Sequence, residues 1–351
     1  MPTFNLPTQF AGQPISILVR ATNWIGDAIM TLPAVRTIRA NFPMAKITVL
    51  AQPWVADIFT ANPYVDQVLV YRKKTDHAGL SGMWRLSREL AAQKFDLAIL
   101  LQNAFEAALL AKLAGIPVIA GFNRDARGVL LTCPVPVTKE IKSKHQVFYY
   151  QHLLSALGLT PFENRLYLHL SEQDKGWAHD FVLQLPKPII GLNPGAAYGP
   201  AKCWPAERYG EVAKKLVDRL GGSVLVFGTA ADTAAAATID KQVGHSVDLT
   251  GKTSLAQAMA LIGRCALFIT NDSGLMHVAA AQNTPLVAIF GSTDAVATGP
   301  FSDKAEVVQK SLACAPCLKT HCPTNFECMK GITTEEVEKA ALGLLERVSR
   351  Q

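Results

Sequence analysis

The sequence predicts an α/β protein built from two doubly wound domains that face a central cleft. Three observations lead to this prediction. Short continuous apolar runs alternate with helical patterns, which is typical of parallel sheets buried on both faces. The alternation restarts after a charged segment at residues 171–188. The length of 351 residues suits two domains of roughly 150 residues each.

The apolar pattern of the first half predicts five strands joined by helices, and hence a parallel sheet. A helix begins near Asp27 and carries Ile29, Leu32, Val35 and Ile38 on one face. The predicted strands lie at 15–20, 46–51, 65–71, 96–101 and 117–122, and the other helices at 84–93 and 106–114.

The second half repeats this organisation. Its predicted strands lie at 189–195, 223–228, 248–251, 266–270 and 285–291, and its helices near 206–220, 231–243, 254–264, around His277 and at 334–348. We therefore expect four parts along the chain: a loose N-terminal arm at 1–14, a first Rossmann-like domain at 15–184, a second at 185–333 and a C-terminal helix at 334–351.

The net charge of +6 is concentrated in the first half, where residues 1–184 carry 18 Lys+Arg against 13 Asp+Glu. The excess indicates either an ordinary solvated surface or attraction to an anionic partner, such as a phosphorylated acceptor or an acidic membrane face. Nucleic acid is not expected, because the basic residues are scattered and lack interleaved aromatics. The chain has no apolar run of ~18 residues and no secretory signal at its start, so we expect a cytoplasmic protein.

The segment NDSGLMHVAAA at 271–281 is the most informative motif. It follows an apolar run and opens a helix, so Asp272, Ser273 and the N–H groups around Gly274 lie at a helix N-terminus. Such a turn suits a phosphate or a ribose hydroxyl. His277 lies one turn further and can reach the same ligand. The motif predicts a site for a nucleotide-activated substrate.

The segment RATNWIGDAIMTLPAVR at 20–36 places Asp27 at the start of a helix that follows the first strand. Asp27 is either a helix N-cap or a general base that takes a proton from an acceptor hydroxyl. The segment lacks G-x-G-x-x-G, so a dinucleotide fingerprint is absent here.

Three further glycine turns follow predicted strands of the second half. In NPGAAYGPAKCWP, Gly195 and Gly199 allow the backbone to approach an anion, and Lys202 is either a surface lysine or the group that neutralises a leaving pyrophosphate. Gly228 in FGTAAD and the GSTD turn at 291–294 are either ligand contacts or ordinary connections.

Taken together, WIGDAIMTLPAVR, PGAAYGPAKCWP and NDSGLMHVAAA resemble the ADP-heptose:lipopolysaccharide heptosyltransferases of glycosyltransferase family 9, which have the GT-B fold. The resemblance covers roughly residues 15–350. It implies an inverting transfer of L-glycero-D-manno-heptose from ADP-heptose to the first heptose of heptosyl-Kdo2-lipid A. It also implies peripheral contact with the cytoplasmic face of the inner membrane and no cofactor for catalysis, because a lysine and helix dipoles can replace a metal.

The resemblance assigns roles to individual residues. Asp27 corresponds to the catalytic base, and Lys202 to the lysine that stabilises the leaving ADP. We expect acceptor contacts in the loops at 72–88 and 122–146 and beside Asp27, namely at Asn23, Trp24, Arg72 and Arg124. The expected donor contacts are Gly195, Ala196, Lys202, Gly228, Asp272, Ser273, Gly274 and His277.

Three alternatives remain at this point. Another family 9 enzyme could use a different nucleotide sugar or acceptor, since acceptor loops vary. A Rossmann-type oxidoreductase is disfavoured by the missing dinucleotide fingerprint. A non-catalytic nucleotide-sugar-binding protein is disfavoured because both Asp27 and Lys202 are present.

Four of the seven cysteines cluster near the C-terminus with the spacing C-x2-C-x4-C-x5-C. The tight first pair is a usual ligand spacing for a structural zinc or iron–sulfur site, and the other interpretation is a loop with reduced thiols. The predicted ligands are Cys314, Cys317, Cys322 and Cys328.

Overall fold

The computed structural model describes residues 4–350. The chain divides between His169 and Leu170 into two compact units. Each unit is built around one six-stranded sheet in which every pair of neighbouring strands is parallel. The predicted α/β class with two doubly wound parallel sheets is therefore confirmed.

The sheet of the first unit has the strand order β3-β2-β1-β4-β5-β6. The order reverses direction between β1 and β4, so the crevice for a ligand is expected at the carboxyl ends of these two strands. The strands are β1 Ser16–Arg20, β2 Lys46–Ala51, β3 Gln67–Val70, β4 Leu97–Leu100, β5 Val118–Phe122 and β6 Cys133–Val135. The helices are α1 Leu6–Gln9, α2 Ile25–Met30, α3 Leu32–Asn41, α4 Asp57–Thr60, α5 Gly79–Ala92, α6 Phe105–Leu113, α7 Lys139–Lys142 and α8 Gln146–Ala156.

The sheet of the second unit has the order β12-β11-β10-β7-β8-β9, with its reversal between β7 and β10. The strands are β7 Ile189–Asn193, β8 Ser223–Val226, β9 Val247–Asp248, β10 Leu267–Asn271, β11 Leu286–Phe290 and β12 Ala305–Gln309. The helices are α9 Glu172–Leu183, α10 Ala206–Leu220, α11 Thr233–Val243, α12 Leu255–Ile262, α13 Gly274–Ala281, α14 Ala295–Thr298, α15 Glu327–Lys330 and α16 Thr334–Ser349.

The central strands of the second sheet are buried along their whole length, because helices cover its two faces. Every residue of β7, β10 and β11 is buried. Burying each Val, Leu or Ile side chain contributes about 1.5–3 kcal/mol, so these strands hold much of the stability. Helices α10 and α16 pack over one face, and Trp204 and Tyr209 fill the space beside them. This core holds the carboxyl ends of β7 and β10 in fixed register.

The boundary between the units differs from the predicted one at residue 184. Helix α9 belongs to the second unit because it packs against α12. The N-terminal segment also differs from a loose arm over its described part. It contains α1, and Leu6 is 1% exposed with its N–H bonded to Leu157 O at 3.0 Å. Residues 1–3 of the predicted arm and Gln351 of the predicted C-terminal helix lie outside the described residues.

Within residues 4–350, no helix combines the length and the apolar character needed to cross a bilayer.

Candidate functional site

A buried ion pair between Lys202 and Asp272 lies at the carboxyl ends of β7 and β10. Lys202 Nζ is 2.5 Å from Asp272 Oδ2, and the two side chains are only 13% and 5% exposed. Thr293 Oγ1 donates to the same carboxylate oxygen at 2.5 Å. The pair thus joins three turns that the sequence analysis predicted separately: those after β7, β10 and β11. It lies at the switch point of the sheet, where ligands of such folds bind.

Two asparagines fix the backbone beneath this pair. Asn193 Nδ2 donates to Ser273 Oγ at 2.8 Å and to Thr270 Oγ1 at 3.1 Å. Asn271 Nδ2 donates to Pro194 O at 2.6 Å, and its Oδ1 accepts from Trp204 N at 3.0 Å. Both asparagines are buried, so these bonds are shielded from water and hold the turns after β7 and β10 together.

The N-terminus of α13 lies where the sequence predicted it. Ser273 is the N-cap and accepts the N–H of Met276 at 3.3 Å, and Gly274 is the first helical residue. His277 lies in the first turns of the helix and is 3% exposed. The predicted contacts Asp272, Ser273, Gly274 and His277 are therefore gathered around one helix start, whose dipole favours an anion.

Gly195 and Gly228 surround a carboxylate that the sequence analysis missed. A Cβ on Gly195 would lie 2.3 Å from Asp232 Oδ1, and a Cβ on Gly228 would lie 2.9 Å from Asp232 Oδ2. Asp232 Oδ2 accepts from Thr229 N at 2.7 Å and from Thr229 Oγ1 at 2.8 Å. The two glycines thus make room for an acid beside the turns after β7 and β8. The capping-box spacing T-x-x-D was the available signal. Ala196 lies in the same turn, where its carbonyl accepts the N–H of Gly199 at 3.2 Å.

Asp27 lies in the first turn of α2, directly after β1. It is the third residue of that helix, and Trp24 is the N-cap residue, so the alternative of an N-cap aspartate does not hold. Helix α8 packs against α2 and brings Tyr150 close. Burial, and then the negative charge of Asp27, raise the pKa of Tyr150 well above its usual value.

The residues predicted to bind an acceptor occupy two places in the first unit. Asn23 and Trp24 lie between β1 and α2; Asn23 O accepts from Trp54 Nε1 at 2.7 Å, and Trp24 is 58% exposed. Arg72 is exposed, with Nε 3.8 Å from Asp76 Oδ2. Arg124 follows β5, two strands away from β1. A hydrogen bond to Tyr149 raises the pKa of Arg124.

A buried arginine beside Asn23 was also missed. Arg20 is 3% exposed and donates to Ala21 O at 2.8 Å, Leu50 O at 3.0 Å and Asn23 Oδ1 at 3.2 Å. Burial lowers the pKa of Arg20 to about 10. Its guanidinium also lies 5.6 Å from the ring centroid of Tyr71. The sequence did not single out Arg20, because this residue ends a strand that is mostly apolar.

Next to Arg20, Glu106 accepts hydrogen bonds from the Tyr71 hydroxyl and the Lys73 ammonium. Burial opposes the charge on Glu106, but the two bonds together with the positive charges of Lys73 and Arg20 outweigh burial and lower the pKa of this carboxyl. The carboxylate is therefore ionised at neutral pH and fixes the loop after β3.

The structure does not support the predicted metal site. Within the part of the chain that is described, no three His, Cys, Asp or Glu side chains are arranged to hold a metal ion. Cys314 is exposed, whereas Cys328 packs into the apolar core of the second unit next to Met329. Burial raises the pKa of Cys328. Cys317 and Cys322 are partly buried, and Cys322 Sγ accepts the N–H of Phe326 at 3.2 Å. The thiols thus face different surroundings.

Comparison with known proteins assigns the chain to a family. The family model described as glycosyltransferase family 9 (heptosyltransferase) matches residues 83–326. Lipopolysaccharide heptosyltransferase 2 of Escherichia coli K12 is 34% identical over 307 residues, which cover 84% of this chain and 88% of that protein. Lipooligosaccharide heptosyltransferase 2 of Campylobacter jejuni serotype O:2 is 28% identical over 340 residues, or 95% of this chain and 99% of that protein.

Solved structures agree with this assignment. The structure of E. coli ADP-heptose lipopolysaccharide heptosyltransferase II has a TM-score of 0.80 at 32% identity and covers 95% of this chain and all of that chain (100%). A family 9 glycosyltransferase from Veillonella parvula has a TM-score of 0.86 at 29% identity, with coverages of 95% and 98%. The GT-B class that the motifs implied is thereby confirmed, and this chain is an enzyme that belongs to the heptosyltransferases of glycosyltransferase family 9.

Proposed function

We propose that this enzyme transfers L-glycero-D-manno-heptose from ADP-heptose to the first heptose of heptosyl-Kdo2-lipid A. The observation that carries the proposal is the buried Lys202–Asp272 pair beside the N-terminus of α13. A cation and a helix dipole that converge on one place suit the diphosphate of a nucleotide sugar. The identity to heptosyltransferases 2 of two species supports the choice of sugar and acceptor.

In the proposed reaction, Asp27 takes the proton of the acceptor hydroxyl as its oxygen attacks the anomeric carbon of the heptose. The bond from that carbon to the diphosphate breaks, and the electron pair leaves with ADP. Lys202 and the N–H groups at Gly274 stabilise the charge that develops on the diphosphate. Attack opposite to the leaving group inverts the anomeric configuration.

The remaining donor contacts are assigned by position. Asp232 presents a carboxylate between Gly195 and Gly228, where it suits the ribose hydroxyls of the nucleotide. Ala196 offers backbone groups in the same turn. Ser273 and His277 lie at the helix start that we assign to the diphosphate. In the first unit, Asn23, Trp24, Arg72 and Arg124 are the proposed acceptor contacts.

The exposed part of α5 supports the proposed peripheral contact with the inner membrane. Leu80 and Trp84 are four residues apart on one helix face and are 81% and 57% exposed, with Arg85 and Arg88 exposed beside them. Apolar and aromatic groups flanked by cations are typical of surfaces that bind anionic lipid.

Sedimentation of the protein with anionic and with neutral vesicles tests this contact. If the double variant Leu80→Ser with Trp84→Ser still binds anionic vesicles as wild type does, the membrane contact lies elsewhere on the protein.

A donor and acceptor panel tests the proposed specificity. The wild-type enzyme is incubated with heptosyl-Kdo2-lipid A and, in turn, ADP-heptose, UDP-glucose, GDP-mannose and ADP-glucose, and the product is weighed by mass spectrometry. We expect one heptose added from ADP-heptose and no comparable product from the others. Efficient transfer from a different donor, or to Kdo2-lipid A without heptose, would favour another family 9 activity.

A further inference from the structure

The ammonium of Lys202 has a second neighbour besides Asp272. Its Nζ lies 4.6 Å from the ring centroid of Tyr198, within the range of a cation–π interaction. The lysine is 13% exposed, so this attraction acts in a partly desolvated place. A ring face attracts the cation without cancelling its formal charge, whereas Asp272 does cancel it.

Tyr198 is held by the cysteine-rich segment. Its hydroxyl donates to Leu318 O at 2.6 Å. Two residues after Leu318, the carbonyl of Thr320 accepts the N–H of Ala201 at 3.1 Å. Ala201 is the residue before Lys202. Gly199 allows this approach: it has φ of 143°, and a Cβ there would lie 2.6 Å from Thr320 O. Segment 318–320, which we name the clamp, therefore holds the lysine turn on both sides of Gly199.

The clamp also reaches the other partner of Lys202. Leu318 N donates to Ser292 O at 2.7 Å. Thr293, which follows Ser292 in the chain, donates its hydroxyl to the Asp272 carboxylate. Leu318 has φ of 57°, which is uncommon for a leucine and is maintained here by hydrogen bonds on both its N–H and its carbonyl. One residue thus connects the aromatic and the acidic neighbours of the lysine.

We propose that Tyr198 is a positioning residue that holds the Lys202 ammonium for the leaving diphosphate, and that the clamp anchors Tyr198. The proposal rests on the role of Lys202 proposed above. When a diphosphate binds, the ammonium shifts part of its interaction from Asp272 to the phosphate oxygens. The ring keeps the ammonium in place during this shift and leaves its charge available.

A double-mutant cycle on ADP affinity and on turnover tests the proposal. Tyr198→Leu removes the ring and should weaken ADP binding about 3- to 30-fold, the scale of a cation–π contact. Tyr198→Phe is the matched control: it keeps the ring face, loses only the anchor to Leu318, and should cost less than the leucine variant. In a Lys202→Ala background, Tyr198→Leu should change ADP affinity less than about twofold, because its partner is gone.

Equal losses in the two backgrounds would overturn the proposal, since they would show that Tyr198 only shapes the turn. Thermal unfolding of each variant accompanies the cycle. A cycle that couples in ADP affinity while wild type transfers no heptose would support the positioning role and reject only the proposed transfer.

A ligand-free measurement keeps the proposal testable whatever the substrate. In protein labelled with 13C at the lysine ε-carbon, the Lys202 signal is identified by its loss in Lys202→Ala. Ring current from Tyr198 should displace this signal in wild type and in Tyr198→Phe, and the displacement should vanish in Tyr198→Leu. An unchanged Lys202 signal in Tyr198→Leu would overturn the proposal directly.

Discussion

Lys202 Nζ and Asp272 Oδ2 lie 2.5 Å apart in a place where both side chains are almost fully buried. The residues are separated by 70 positions in the chain, and the parallel pairing of β7 with β10 brings them together. A buried pair of this kind is costly to break, because the group that remains is left charged and poorly solvated. The pair is therefore a structural feature of the turns after β7 and β10, and we propose that it also serves the reaction.

Replacing Asp272 with Asn should destabilise the protein by about 3 kcal/mol, because Lys202 then keeps an uncompensated charge in a place with little water. The double variant Asp272→Asn with Lys202→Met should recover much of this loss, since no charge remains. Urea unfolding followed by circular dichroism measures both. A double variant as unstable as Asp272→Asn alone would show that the ion pair is not the cause.

Gly195→Ala should destabilise by about 1–3 kcal/mol, because the new Cβ would overlap the Asp232 carboxylate. Gly176→Ala is the matched control: it lies in α9 and its Cβ would meet nothing within 4 Å. That change should be neutral or slightly stabilising. Adding Asp232→Ala to Gly195→Ala should relieve part of the loss. Thermal unfolding of the four proteins decides whether the carboxylate is the obstacle.

The lowered pKa of Glu106 predicts a specific dependence of stability on pH. A carboxyl whose pKa is lower in the folded protein than in the unfolded chain stabilises the fold at pH values above its unfolded pKa, which is about 4.5 here. That contribution is lost as the pH falls through the folded pKa. Wild type should therefore lose more stability than Glu106→Gln below pH 4.5, by about 1 kcal/mol for a partly exposed carboxylate. Parallel acid-unfolding curves for the two proteins would contradict this.

Lys202→Ala should weaken ADP binding and lower turnover together, whereas Lys252→Ala, an exposed lysine paired with Asp248, should change neither beyond twofold. Loss of a donor that stabilises a developing negative charge typically costs about 10²–10³ in turnover. Calorimetry with ADP and the transfer assay give the two quantities. Wild-type values for both in Lys202→Ala would remove this residue from the site.

The sheets were predictable because their central strands are buried on both faces and read as continuous apolar runs. Edge strands β6 and β12 were missed, since β6 is three residues long and every residue of β12 is at least partly exposed. Strand β9 has two residues, of which the predicted segment 248–251 contains one. The buried Leu6 could not be foreseen either, because its partner at Leu157 lies far along the chain. The local pattern of apolar and polar residues carries no information on contacts between residues far apart in the chain.

The sequence pointed to several residues of the candidate site one by one, but not to their arrangement. Motif position pointed to Lys202 and Asp272 separately, while their contact depends on strand order. The sequence did not identify Asp232 and Tyr198 as site residues, because a capping-box acid and an exposed aromatic are common in turns. The cysteine spacing suggested ligands, yet what connects that segment to Lys202 is the backbone of Leu318 and Thr320.

The most direct test of the central claim is transfer from ADP-heptose to heptosyl-Kdo2-lipid A, read by mass spectrometry for wild type and Asp27→Asn side by side. The asparagine keeps the size of the side chain and cannot accept the proton. We expect wild type to add one heptose, and Asp27→Asn to bind ADP-heptose normally while transfer falls by at least ~10²-fold. Normal turnover in Asp27→Asn, or no addition by a wild-type enzyme that binds ADP, would contradict the account.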